Sequence, residues 1–259
     1  MSPTYRFVPD HGLIACTVLL ALALVAQGPI PQWAEYHAFA DARSWFGLPN
    51  AANVLSNLPF ALIGGWGWRL HARSTSADAR IWRGFSLALI GTAFGSALYH
   101  AAPGNGALVF DRLPIAWACA LLTCALLTQR VDPRWAAPRA LAAAVLLASA
   151  AVAGWWLGEQ HGAGDLRAYL FVQFLPMLLV PVAIGLKLPA SAGALRDRDW
   201  WIGLALYGAA KLTELGDNAV LDALGVLSGH TLKHLLAAGA ALWLLRAAAR
   251  SSARADQLR

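Results

Sequence analysis

Apolar residues run along this chain in blocks near twenty long, separated by short polar stretches. A soluble core needs no such blocks. A hydrocarbon layer about 30 Å thick needs about twenty apolar residues for each helical crossing. The pattern predicts eight helical spans, at roughly 11–28, 51–70, 82–101, 108–129, 138–157, 167–187, 200–219 and 229–247. Loops such as Ala102-Pro103-Gly104-Asn105-Gly106 are short, which makes successive helices antiparallel neighbours. With no internal repeat or long linker, the expectation is an all-α, polytopic transmembrane helix bundle forming one membrane domain over 1–259.

Composition agrees: 58% of the 259 residues are apolar and 13% are charged. The net charge of +6 could point to nucleic acid, but its distribution says otherwise. Fifteen of the twenty Lys and Arg fall on alternate sides of the predicted spans: Arg6; Arg69, Arg73, Arg80 and Arg83; Arg130, Arg134 and Arg139; Lys187, Arg196 and Arg198; Arg246, Arg250, Arg254 and Arg259. That is the positive-inside pattern, and it places both termini in the cytoplasm. The partner it implies is a lipid bilayer, not a nucleic acid. Compact loops and an arginine- and alanine-rich composition suggest a prokaryotic inner membrane. Residues 11–26 also resemble the apolar region of a secretory signal. However, Ala26-Gln27-Gly28 is a poor cleavage site, so an uncleaved first span is expected. Cys16, Cys119 and Cys124 lie within apolar segments; Cys119 and Cys124 do not share a helix face, so neither a disulfide framework nor a thiolate metal site is indicated.

Against this apolar background a few polar residues stand out. His230 and His234 open the last span four residues apart, hence on one helical face, a spacing that offers two imidazoles to one ion. Ser96 and His100 share a face at the end of the third span, and Asp111 opens the fourth after a tight turn. Asn50, Asn53, Ser56 and Asn57 open the second. By the charge reading all of these lie at the outer end of their spans. Intramembrane polar groups are costly and normally have partners or a function. Three histidines with an open position form the ligand set of a catalytic zinc site: His100, His230 and His234 as ligands, Asp111 as proton acceptor and donor, Ser96 as hydrogen-bond donor to a developing oxyanion. Zinc would bring the pKa of a bound water toward about 7 and polarise a carbonyl. Taken singly, each residue has a plainer reading: His100 as a helix-end residue, Ser96 as a packing residue, Asp111 as a charge pairing with Arg112 or the helix dipole.

The combined motif, Ser96-x3-His100, Asp111 and His230-x3-His234, with Asn53-Val54-Leu55-Ser56-Asn57 opening the second span, resembles the alkaline ceramidases. These belong to a wider superfamily of seven-helix putative membrane hydrolases that includes the adiponectin and progestin receptors. The resemblance covers residues 50–247, a seven-helix core to which the 11–28 span is an addition. It implies zinc held by the three histidines and hydrolysis of a ceramide-like N-acyl membrane lipid to a fatty acid and a sphingoid amine. Calcium is not implied, because Glu35 and Asp41 do not reproduce the family's acidic segment and Asn50 stands where the family has glutamate.

Other features are expected to be structural. Lys211, Glu214 and Asp217 read as a polar cluster with Lys211 and Glu214 paired, although Glu214 or Asp217 could support a histidine ligand or bind a lipid amine. Lys233 is expected to snorkel or to pair with Asp217 or Asp222. Trp33, Trp45, Trp155 and Trp156 read as an aromatic belt. Pro176 and Pro181 are expected to kink the sixth span. His11, His37, His71 and His161 are not expected to be ligands. The competing function is a receptor-like or scaffold protein with a structural zinc; a transporter or a haem protein fits the ligand placement less well.

Overall fold

Each predicted span is occupied by helix, with internal breaks in the second and the seventh. The computed structural model describes residues 11–72, 74 and 77–257, so Arg6, Arg73 and Arg259 of the charge pattern lie outside the described residues. In order the elements are α1 (His11–Gln27), a 3₁₀ turn (Ala34–His37), α2 (Ala51–Leu55), α3 (Leu58–Ala72), α4 (Ala77–Ala101), α5 (Asn105–Arg130), a second 3₁₀ turn (Pro133–Ala136), α6 (Pro138–Glu159), α7 (Arg167–Gly185), α8 (Asp197–Leu215), α9 (Asp217–Leu224) and α10 (Gly229–Gln257), with no strand among the described residues. Five are long and apolar enough to cross a membrane: Asp78–Ala101, Asn105–Arg130, Pro138–Glu159, Arg167–Gly185 and Gly229–Arg254. They are compatible with a multi-pass membrane protein. Helix α1 is apolar but shorter, α3 has 15 residues, and α8 carries Asp197, Asp199, Lys211 and Glu214.

The second span, expected to be continuous over 51–70, is divided between α2 and α3. Pro59 falls in the first turn of α3, where its missing N–H goes unneeded, but it cannot extend a helix arriving from α2. The intervening Ser56 and Asn57 close a turn instead, their amides donating to Ala52 O at 3.0 Å and Val54 O at 3.2 Å. The seventh span likewise stops early, at Leu215, and Gly216 leads into the short helix α9, which has no buried residue.

Helix α5 packs against α4, α6 and α7. A closed circuit runs from α3 to α4, α5, α7, α8 and α10 and back to α3, while α1 leans on α7 and buries Leu13. The enclosed space is a cavity of about 570 Å³, apolar along Phe85, Leu89, Leu122 and Val180 and polar at one end. At the other end of the bundle Arg130 donates to Leu188 O at 3.0 Å and pairs with Asp197. Beside it Gln129 donates to Asp78 at 3.0 Å and accepts from the Leu195 amide at 3.1 Å.

The contact between α4 and α5 depends on a missing side chain. A Cβ on Gly95 would lie 1.9 Å from Phe110 O, so the backbones meet there. Gly95→Ala is expected to cost about 1–3 kcal/mol or more, since the obstructing atom is backbone and cannot rotate away. Thermal unfolding in detergent micelles checks this; an unchanged midpoint would mean that the two helices are free to part.

Candidate metal centre

The turn between α4 and α5 is short enough to set His100 and Asp111 at one depth, and α10 begins at that same level. His230 and His234, one helical turn apart, project from the first turns of α10 toward His100. The three ring centroids are 4.8 Å (His100–His230), 5.0 Å (His100–His234) and 5.0 Å (His230–His234) apart. One ligand atom from each lies within 4.8 Å of the others, and all three residues are buried. No fourth His, Cys, Asp or Glu joins the cluster among the described residues.

Two observations indicate that this donor set fits a metal ion. Nδ1 of His100 and Oδ1 of Asp111 are buried with no hydrogen-bond partner, and buried polar atoms in native proteins rarely lack one. The hydrogen bonding around His234 also presents a free nitrogen. Ser56 Oγ donates to Asn53 O at 3.0 Å and lies 2.7 Å from His234 Nδ1. With its proton committed to Asn53, the hydroxyl accepts from Nδ1–H and leaves Nε2 with its lone pair, the orienting contact typical of ligand histidines. Ser56→Ala is therefore expected to weaken metal affinity about 10- to 100-fold, measurable by competition with a chelator. Equal retention in wild type and variant would remove Ser56 from the site.

The start of α10 is capped from two directions. Ser228 Oγ accepts from the Thr231 amide at 3.2 Å, and Asp217 Oδ1 accepts from the His230 amide at 2.7 Å. The other Asp217 oxygen accepts from the Ala40 amide at 3.0 Å, tying down the segment that precedes α2. That segment roofs the triad: the Phe39 ring lies 4.6 Å from His100 and 5.1 Å from His230. Asn50 donates to His100 O at 2.8 Å, and Thr231 Oγ1 donates to Asn53 Oδ1 at 2.8 Å. Polar groups from four spans therefore meet at one end of the bundle, as the sequence implied. Gly229 permits the closeness of α10 to α8, because a Cβ there would fall 1.9 Å from Thr213 O.

Ser96 and Asp111 line the polar end of the cavity together with His234. Ser96 and Asp111 sit side by side there. Asp111 does not pair with its neighbour Arg112, which turns away to donate to Gln32. Lys211 and Glu214 pair as expected. Lys233 does not: it neither snorkels nor reaches Asp217 or Asp222. Its ammonium lies 2.9 Å from Glu214 Oε1 and 2.8 Å from His230 Nε2, so Glu214 is held between two lysines. Both oxygens of Asp217 are engaged by backbone amides, which is why Lys233 finds Glu214 instead.

Trp155, assigned to the aromatic belt, is buried and donates to Glu159 at 3.2 Å; Trp33 and Trp45 are exposed, as a belt requires. His37 lies outside the triad, 2.9 Å from both Tyr99 Oη and Asn105 Oδ1, and His161 lies 2.8 Å from Leu157 O. Pro176 and Pro181 sit inside α7 without ending it. The Arg43 guanidinium pairs with Asp41 at 2.7 Å and holds that carboxyl below its usual range.

The sequence matches no family model and no curated protein.

Proposed function

We propose that the protein is a zinc-dependent intramembrane hydrolase that cleaves the amide bond of an N-acyl membrane lipid, ceramide-like in general form, to a fatty acid and an amine. The observation that carries this reading is a cluster of three buried histidines whose member His234 lines the polar end of one apolar cavity together with Ser96 and Asp111. His100, His230 and His234 would hold the zinc, which when bound would supply Lewis acidity toward the amide carbonyl and lower the pKa of water.

The chain's own residues do the rest. Asp111 takes the proton from the attacking water and returns it to the nitrogen as the C–N bond breaks. Ser96, beside Asp111 at the polar end of the cavity, donates a hydrogen bond to the developing oxyanion. The apolar cavity holds the acyl chain. A structural metal would call for a fourth protein ligand, whereas three histidines leave a position open, which favours an enzyme over a receptor or scaffold. The alternating basic loops orient the site toward the outer face, with cytoplasmic termini, in a membrane of prokaryotic type.

The test is metal analysis of the detergent-purified chain, followed by assay of fatty-acid release from N-acyl lipids. About one zinc per chain with fatty-acid release is expected. A zinc-loaded, folded protein that cleaves no lipid amide would sink the proposal.

A further inference from the structure

Arg112 lies at the polar end of the cavity, and neither the metal centre nor the proton transfer uses it. It is 4% exposed and lines the cavity beside Asp111. Its guanidinium carbon lies 4.2 Å from the Trp155 ring, 5.1 Å from Tyr169 and 5.7 Å from Tyr36. One terminal nitrogen donates to the neutral Gln32 amide; the other, Nη1, is buried and has no hydrogen-bond partner. No carboxylate among the described residues forms an ion pair with it.

Aromatic faces partly compensate a buried cation, but they do not satisfy an N–H. A guanidinium fixed by three rings and a glutamine, with a donor left over, is a preorganised receptor for an anionic oxygen. The other cations at that end, Lys211 and Lys233, are both held by Glu214. With Asp111 counted, the three cations at that end face two carboxylates, an excess of one positive charge. That balance suits a singly charged carboxylate better than a phosphate, which would need a second cation.

We propose that Arg112 binds a carboxylate carried by the substrate, so that the preferred lipid amide is an N-acyl amino acid and not a neutral amide. This rests on the hydrolase reading for the identity of the scissile bond, but its binding step does not depend on turnover.

Equilibrium binding of N-palmitoylglycine, N-palmitoylethanolamine and palmitate to the full chain in neutral detergent micelles tests it, with hydrolysis of the two amides followed in parallel. N-palmitoylglycine is expected to bind about tenfold or more tightly than N-palmitoylethanolamine, the range of one charge-assisted hydrogen bond. Arg112→Gln is expected to erase that ratio, and Arg112→Lys, which keeps the charge but not the planar fork, to retain part of it. A guanidinium present only to pack the rings would leave the charge selectivity where it was. Equal affinities in the wild type, a preference surviving in Arg112→Gln, or a preference confined to palmitate would each overturn the assignment; the wild-type ratio decides even if both variants fail to fold. Selective binding without cleavage of either amide would instead defeat the hydrolase reading alone.

Discussion

On the proposed reading, His234→Ala is expected to lose metal and activity together. The residue is buried between His100, Ser56 and His230, and removing it leaves two ligands where a catalytic zinc site needs three. Because the ion supplies several kcal/mol of transition-state stabilisation, the loss in turnover is expected to be about a thousandfold or more. The check is elemental analysis beside the hydrolysis rate, in wild type and variant purified identically, with helicity by circular dichroism as the control for folding. Added zinc is expected not to restore the variant. If the variant kept stoichiometric zinc, the triad would not be the metal site. If it lost zinc but kept its rate, the metal would be structural.

Asp111→Asn separates the chemistry from the ion. The amide replaces the carboxyl at nearly the same volume, so zinc content is expected to match wild type. Turnover falls by about 10²- to 10⁴-fold, the usual contribution of a positioned acid or base, and KM changes little because the carboxyl acts on the proton and not on the acyl chain. A fully active Asp111→Asn chain would remove Asp111 from the proton transfer and leave the Ser96 contact as packing.

Helices were legible at all eight predicted positions because a bilayer demands long apolar blocks, and five of them are long and apolar enough to cross one. His100, Asp111, His230 and His234 were legible as a group for a related reason. Short loops fix the depth at which each helix starts, and depth was enough to bring them together. Rotation about the helix axis is a different matter, because it is settled by neighbours that no local pattern names. Hence Trp155, placed in a lipid-facing belt by its position near a span end, turns inward onto Arg112. Lys233, expected to snorkel or to pair with Asp217 or Asp222, is captured by Glu214 from α8. The break at Ser56–Asn57 had a visible signal in Pro59, yet its consequence, a hydroxyl aimed at His234, depends on where α10 lies.

Ser56 and His234 touch across 178 residues of chain, and the roof over the triad is tied to Asp217, near the start of the last long helix. During synthesis at about 5–20 residues per second, roughly ten to thirty-five seconds separate the first of these groups from the last. Throughout that interval the early helices hold a histidine, an aspartate and the roof segment with nothing to close upon. On the proposed reading, metal capture is therefore the final event of biogenesis, and a ribosome that stops short of α10 releases a chain without a complete histidine triad.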